Sequence, residues 1–242
     1  MTLSFMQARR SQAKARLALV GLAGAGKTYS ALRIAAGLGC QRIAIADSER
    51  GKAEKAAGRG VNFGWVPLPN HSPAMYCEAL EAAAKANIDG LIIDSLSDEW
   101  EGSEGMLEMV EAKARTSDSS DERGIWKKFN PEHHRLFDLI LQYPGHVIAT
   151  VRARKARESD RKRQLEAIQR EGWDYYFDLI GMLDLEHRLT VTKTCCELLP
   201  RGSVLQQPTD IGQRFGAWLR GSAEARPEPS ASNGVAAAAV GD

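Results

Sequence analysis

The chain has 242 residues, of which 43% are hydrophobic and 26% are charged, and its formal net charge is +1. This balance is typical of a globular protein with a sizeable core, and any attraction to nucleic acid must come from local charge. No apolar run approaches the roughly 18 residues of a membrane-spanning helix. The four cysteines form no C-x-x-C pair, and the N-terminus lacks the apolar core of a secretion signal, so we predict a cytoplasmic protein.

Apolar runs alternate with helical patterns along the chain. Strands are predicted at residues 16–21, 42–47, 63–68, 90–95 and 145–151, and two more are joined by a tight turn within 178–193. Helices are predicted at 27–39, 72–86, 103–115, 131–142 and 210–220. Short apolar strands that alternate with helices indicate an α/β fold with a mostly parallel central sheet covered on both faces. The late hairpin adds antiparallel strands at one edge.

Three segments are predicted from the composition. Residues 1–16 form a basic N-terminal arm, and residues 17–220 form the folded core. Residues 221–242 are rich in Pro, Ser and Ala. Such a stretch has little apolar surface to bury, so we predict a disordered tail.

Residues 21–28 read GLAGAGKT, which has the spacing G-x-x-x-x-G-K-[ST] of a phosphate-binding loop. A predicted strand precedes this stretch and a predicted helix follows it, which is the context that the motif requires. Glycines let backbone N–H groups turn toward an anion, and the helix N-terminus adds its positive dipole end. The residues predicted to bind nucleotide here are Gly21, Leu22, Ala23, Gly24, Ala25, Gly26, Lys27, Thr28 and Tyr29.

Acidic residues follow two of the predicted strands. Asp94 ends the apolar run LIID, where a P-loop ATPase needs an acid for Mg²⁺, so Thr28 and Asp94 are the predicted metal ligands. The stretch IAIADSERG ends the second strand, which opens on the same sheet edge. Its Glu49 is the predicted general base for an attacking water. The alternatives are Glu99 and Glu101.

The motifs GLAGAGKT, IAIADSERG and LIIDSLS together resemble those of RecA-type ATPases. Downstream, SLSDEWEG, HVIATVRARK, IQREGWDYYFDLIGMLDLEH and LTVTKT resemble a group of phage and prophage ATPases that consist of a RecA-like core. The resemblance runs from about residue 5 to residue 220. It implies a RecA-like P-loop fold, ATP and Mg²⁺ as ligands, and a link to single-strand annealing and recombination. In RecA-type proteins the base lies two residues past a strand-end Asp, which favours Glu49 over Glu99.

The resemblance also implies roles for three later residues. Thr150 lies at the strand end where RecA-type proteins keep a polar γ-phosphate sensor, and Arg152 follows as a second phosphate-sensing group. Lys193 resembles the lysine that these proteins extend into a neighbour's nucleotide site, where a cation stabilises developing charge. This implies a homo-oligomer, ring or filament, with ATP between subunits. The alternative interpretation of Lys193 is a surface residue at a strand end.

A basic run follows the predicted sensor strand. Residues 152–170 contain eight Arg or Lys and three acids, a local net charge of +5. Cations near phosphates release counterions and give salt-dependent affinity for nucleic acid, and RecA-type proteins bind single-stranded DNA at this place. The alternative is a solvated charged helix. The predicted DNA-binding residues are Arg152, Arg154, Lys155, Arg157, Arg161, Lys162, Arg163 and Arg170, together with Lys127 and Lys128. Trp126 and Phe129, beside these two lysines, offer rings that could stack on bases.

These features favour an ATPase that binds single-stranded DNA in phage-type recombination or annealing, with DNA-stimulated hydrolysis. A single-strand-binding or replication protein is a possible further partner, and the location is the host cytoplasm if a phage encodes the chain. Two alternatives stay open. One is a P-loop nucleotide or small-molecule kinase that uses the basic run as a lid, and the other is an ATP-switched loader or assembly factor.

Overall fold

The computed structural model describes residue 5 and residues 7–116, 122–156 and 165–221. The strands are β1 (Arg16–Gly21), β2 (Ile43–Asp47), β3 (Gly64–Pro67), β4 (Gly90–Asp94), β5 (His146–Lys155), β6 (Leu165–Ala167), β7 (Leu179–Leu183), β8 (Leu189–Thr194) and β9 (Val204–Leu205). The α-helices are α1 (Lys27–Leu38), α2 (Pro73–Lys85), α3 (Leu96–Glu101), α4 (Met106–Arg115), α5 (Glu122–Gln142) and α6 (Pro208–Arg220).

The strands form one nine-stranded sheet in the order β3-β2-β4-β5-β1-β7-β8-β9, with β6 paired to β5. All pairs from β3 across to β7 are parallel, whereas β7–β8, β8–β9 and β5–β6 are antiparallel. The fold class predicted from the sequence, a mostly parallel sheet with an antiparallel hairpin at one edge, is therefore confirmed.

Strand β1 is buried on both faces, as its uninterrupted apolar sequence predicts. Leu17 and Leu19 face the layer that contains α1 and α6, whereas Ala18 and Val20 face the layer that contains α2 and α5. Successive side chains of a strand point to opposite faces, so this one strand supplies both halves of the core. The loop that follows β1 is thus attached to the centre of the sheet.

Helix α1 is held by an unusually close approach to α6. A Cβ on Gly212 would collide with the backbone carbonyl of Ile34, and a Cβ on Gly37 would collide with that of Thr209. Glycine at both positions lets the two helices approach to backbone contact. This packing fixes the direction in which the N-terminus of α1 points.

Arg16 is the first residue of β1 and has a buried guanidinium group. Its Nη atoms donate to the carbonyl oxygens of Leu141 and Tyr143, at 2.9 and 2.6 Å, and of Gly145, at 2.8 Å. Burial lowers the pKa of Arg16 to about 10. The last residue of the predicted N-terminal arm therefore joins the start of β1 to the end of α5. The predicted tail lies outside the described residues from residue 222 onward.

Two predicted elements differ from the structure. Strand β5 continues to Lys155 and pairs with β6, so the start and end of the basic run form a β-hairpin rather than a loop or helix. Helix α5 begins at Glu122, and Pro131 lies inside it instead of starting it. Proline is favoured at the first position of a helix, which explains the late predicted start. None of the described helices combines the length and apolarity needed to cross a membrane.

Candidate active site

The carboxyl ends of the central parallel strands meet at one edge of the sheet. Asp47 on β2 is the register partner of Asp94 on β4. Gly21 at the end of β1 is the partner of Arg152 on β5. Sheet pairing alone thus brings the predicted phosphate loop, both strand-end acids and the predicted phosphate-sensing arginine to the same edge.

The loop from Gly21 to Thr28 has the backbone conformation that its glycines permit. Gly24 and Gly26 have φ values of 83° and 82°, and Gly26 is the N-cap of α1. Side chains rarely adopt these angles, so the glycines are required by the loop path. Lys27 Nζ donates to the carbonyl oxygens of Gly21 and Leu22, both at 3.0 Å. The chain thus wraps around the ammonium group at the helix N-terminus, where an anion is favoured.

The Lys27 ammonium group lies among charges of both signs. Burial lowers the pKa of Lys27, and the nearby carboxylates of Asp94 and Glu49 oppose this effect. Arg152 and Lys52 are also close enough to lower the pKa of Lys27. The cations of Lys27, Lys52 and Arg152 and the carboxylates of Asp94 and Glu49 therefore influence one another at this edge of the sheet.

Asp94 is buried and is held by two hydroxyl groups. Thr28 Oγ1 donates to its Oδ2 at 2.6 Å, and Thr150 Oγ1 donates to its Oδ1. Burial raises the pKa of Asp94, while these two hydrogen bonds lower it. Thr150, the predicted sensor, is thus in direct contact with the predicted metal ligand. Tyr29, the last residue predicted to bind nucleotide, is half-buried with its ring under the guanidinium of Arg33, 5.5 Å away.

The oxygen atoms of Thr28 and Asp94 are of the kind that Mg²⁺ prefers, so the donor set fits the predicted ion. No group of three or more His, Cys, Asp or Glu side chains within the described ranges could hold a metal. Mg²⁺ commonly completes its coordination with water and substrate phosphates, so one carboxylate beside a phosphate loop is a sufficient protein contribution.

Asp47 fixes the turn that carries Glu49. Its buried carboxylate accepts hydrogen bonds from the backbone N–H groups of Glu49 at 2.7 Å, Gly51 at 2.8 Å and Ala53 at 3.2 Å. Hydrogen bonds to a charged acceptor are the stronger kind. This turn starts at the sheet edge where Asp47 pairs with Asp94, and the charge of Glu49 raises the pKa of both Lys27 and Asp94.

The two alternative bases have other partners. Glu99 is fully buried, and its Oε1 lies 2.9 Å from Nδ1 of the buried His133. Gln169 Nε2 lies 3.4 Å from the other oxygen of Glu99. Glu101 faces Arg152, with 3.4 Å between Oε1 and Nη2. Glu49 is the candidate that follows Asp47 at the sheet edge of the phosphate loop, and its charge raises the pKa of Lys27.

Arg152 is anchored by acidic residues of α3. Its Nη2 lies 2.5 Å from Asp98 Oδ1, and its backbone N–H donates to Ser97 Oγ at 2.8 Å. Asp98 Oδ2 also accepts from the hydroxyl groups of Ser48, at 2.6 Å, and Ser95, at 3.1 Å. Ser48 directly precedes Glu49, so this network connects the Glu49 turn to β5. Sequence reasoning did not single out Ser48, because a buried serine carries no local signal of its partners.

Apart from Arg152, which is paired with Asp98, the predicted DNA-binding residues fall into three groups. Arg157, Arg161, Lys162 and Arg163 lie outside the described residues. Arg154 and Lys155 are exposed at the described end of β5, and Arg154 Nε lies 3.3 Å from Glu166 on β6. Lys127 and Lys128 are exposed on α5, and Arg170 joins that helix through a 3.0 Å hydrogen bond to Asn130 Oδ1.

Trp126 is already stacked within the protein. Its ring lies 5.8 Å from that of Trp100, and the Arg170 guanidinium lies 5.7 Å from its centroid. The sequence suggested that Trp126 could stack on bases, but in this arrangement its ring packs against Trp100 of α3 and Arg170.

Lys193 lies away from the phosphate loop of its own chain. It pairs with Ile180 on β7, which pairs with Ala18, three residues before Gly21. Its Nζ donates to the carbonyl oxygen of Asp174 at 2.5 Å. Instead, the β7–β8 turn brings His187 to the loop, where Nδ1 lies 3.1 Å from the Ala25 carbonyl oxygen. The sequence predicted this turn but not its contact, which depends on the position of β7 beside β1.

One family of known proteins matches most of this chain. A family model described as an AAA domain matches residues 13–214. No curated protein matches the chain. Among solved structures, the crystal structure of the RadB recombinase aligns with a TM-score of 0.49 and 17% identity, over 78% of this chain and 84% of that chain. Similarity at this level is too low to transfer a function.

Proposed function

This chain belongs to the AAA domain family AAA_24 and is a P-loop ATPase, and on that premise we propose that its ATP cycle controls binding to single-stranded DNA. The biological setting that we propose is recombination or annealing of the phage type. The observation that carries this proposal is the continuity of β5 between the two candidate sites.

Strand β5 begins in the core and ends in the β-hairpin that it forms with β6, which we call the basic hairpin. Its Thr150 donates to Asp94 beside the phosphate loop, and its Arg152 contacts Asp98. Two residues further along, Arg154 and then Lys155 are exposed. A structural change beside the phosphate loop can therefore be transmitted along β5 to the basic hairpin. We propose that ATP binding favours the arrangement of this hairpin that binds DNA, and that hydrolysis reverses it.

We propose the following roles in hydrolysis. Lys27 and the backbone N–H groups of the loop bind the phosphates, and Thr28 and Asp94 hold Mg²⁺, which neutralises charge on the phosphate oxygens. Glu49 accepts a proton from a water whose oxygen attacks the γ-phosphorus. The bond between the γ-phosphorus and the β–γ bridging oxygen breaks, which gives ADP and inorganic phosphate.

The DNA surface that we propose combines the hairpin with the start of α5. Arg170 connects the two, because it contacts Trp126 and Asn130 on that helix. The exposed Lys127 and Lys128 extend this surface along α5. The sequence of residues 157–164, which lies outside the described residues, contributes four further Arg and Lys residues. Binding through phosphate contacts predicts low sequence specificity and a strong dependence on salt.

A homo-oligomer, ring or filament, with ATP between subunits remains part of the proposal. Lys193 lies too far along β8 to serve the phosphate loop of its own chain. Its Nζ lies over the ring of Tyr175, 5.7 Å from the ring centroid, and Tyr175 is 84% exposed. An exposed aromatic beside a lysine is a reasonable surface for contact with a neighbouring subunit, where this cation could serve in trans.

Phosphate release tests the proposed function. We expect the full-length chain to hydrolyse ATP with Mg²⁺ and single-stranded DNA to raise the rate several-fold. The Lys27→Ala variant, which lacks the phosphate-binding cation, provides the background rate. Absence of hydrolysis with and without DNA would contradict the proposal. Transfer of the γ-phosphoryl group to a nucleoside monophosphate would support the kinase alternative instead.

A further inference from the structure

The turn that carries Glu49 also carries a cation that the sequence did not single out. Lys52 lies between Gly51 and Ala53, whose N–H groups both donate to Asp47. Its Nζ lies 3.0 Å from Glu49 Oε2. Asp47 therefore holds in place both partners of an ion pair at the edge of the phosphate loop.

We propose that Lys52 recognises the γ-phosphate of ATP and exchanges its ion pair with Glu49 for that phosphate. This inference rests on the proposed function, because it requires Glu49 to lie beside a bound nucleoside triphosphate. It assigns to Lys52 two linked effects. Lys52 discriminates ATP from ADP, and its movement makes Glu49 Oε2 available to the attacking water.

The two partners differ in exposure. The Lys52 side chain is 63% exposed, whereas that of Glu49 is 20% exposed. A pair with one long, exposed partner contributes little net stability, because solvent screens it and the lysine loses rotamer freedom. The lysine can therefore move while the glutamate, which is largely enclosed, stays in place.

The surrounding charges favour exchange when a polyanion binds. The hydrogen bond and charge of Glu49 raise the pKa of Lys52, and the charges of Asp94 and Asp98 add to this, so the group is a full cation at neutral pH. Its positive charge is also felt at Lys27. A triphosphate bound at Lys27 would bring several negative charges to the sheet edge where Lys52 lies, against the single charge of Glu49. Electrostatic attraction therefore favours transfer of Lys52 to the phosphate.

ADP lacks the group that would draw Lys52 away from Glu49. Its phosphates bind the loop and Lys27, while Lys52 keeps its ion pair. The structure thus provides a reason for a nucleotide-dependent state of the Glu49 turn, which is connected through Ser48 and Asp98 to Arg152 on β5.

Nucleotide affinity tests the role of Lys52 independently of turnover. The variant is Lys52→Met, which keeps the length of the side chain and removes its charge. The matched control is Lys55→Met, which removes an exposed cation three residues further along the same segment. Dissociation constants for a slowly hydrolysed ATP analogue and for ADP are measured by calorimetry with Mg²⁺ for each full-length protein.

We expect Lys52→Met to weaken binding of the ATP analogue by about tenfold, the loss of one charge-assisted contact, and to change ADP binding by less than about twofold. Lys52→Arg should restore most of the preference for the analogue, and Lys55→Met should match the wild type. Equal effects on both nucleotides, or no effect on either, would overturn the proposal. If the wild-type chain binds neither nucleotide, the proposed function fails instead.

Discussion

Replacing Glu49 with glutamine is expected to lower the rate of ATP hydrolysis by about 10²-fold or more, the usual contribution of a general base. Glutamine keeps the shape of the side chain but cannot accept the proton of the attacking water. The phosphate loop, Thr28 and Asp94 are unchanged, so affinity for the ATP analogue should remain within about threefold of wild type. Phosphate release and calorimetry on the same samples separate the two effects.

Glu101→Gln is the matched control for this variant. Glu101 was an alternative base in the sequence, and its carboxylate lies 3.4 Å from Arg152 Nη2. Since Arg152 keeps its shorter contact with Asp98, this change should alter the hydrolysis rate by less than about threefold. A large loss in Glu101→Gln together with near-normal hydrolysis in Glu49→Gln would show that the base has been assigned to the wrong acid.

Asp47→Ala is expected to destabilise the fold by about 3–5 kcal/mol, because hydrogen bonds to a charged group contribute about 1.5–3 kcal/mol each and are not additive. The buried carboxylate is the acceptor for three backbone N–H groups of the turn. Without it the turn loses its fixed path, so hydrolysis should fall even in the folded fraction. Urea unfolding and phosphate release, both at a temperature where the variant is folded, measure the two effects.

Asp89→Ala separates general destabilisation from loss of this particular turn. Asp89 also holds backbone groups, since its carboxylate accepts from the N–H groups of Gln41 and Arg42. It precedes β4 and therefore lies at the opposite end of the sheet from Asp47. We expect a smaller loss of stability, because this site is exposed, and a hydrolysis rate near wild type. Equal losses of activity in both variants would contradict the special role of the Asp47 turn.

Much of the fold could be predicted because its signals are local. The apolar runs that form β1, β2 and β4 are short and bounded by glycine or acid, and the glycine spacing of residues 21–28 is contiguous. The carboxyl ends of parallel strands open on the same edge of a sheet. Placement of Asp94 and Glu49 at one edge could therefore be predicted from the strand ends alone.

The structure differs from the sequence-based predictions at residues whose conformation depends on contacts with distant parts of the chain. Charged residues concealed the strand pattern at the end of β5. They are tolerated there because residues 153–155 extend beyond the parallel sheet and pair only with the short strand β6. The resemblance to RecA-type proteins favoured Glu49 over Glu99, but the burial of Glu99 could not be predicted, because it depends on how α3 packs against His133 of α5. The ion pair of Lys52 and the contact of His187 with the phosphate loop likewise depend on tertiary packing.

The most direct test of the proposed function is the binding of a labelled single-stranded oligonucleotide by fluorescence anisotropy. Binding is measured without nucleotide, with ADP and with a slowly hydrolysed ATP analogue, each at two salt concentrations. We predict tight binding with the ATP analogue alone, weakened steeply by salt because the contacts are to phosphates. No binding in any nucleotide state, or the same affinity in all three, would contradict ATP-controlled binding to single-stranded DNA.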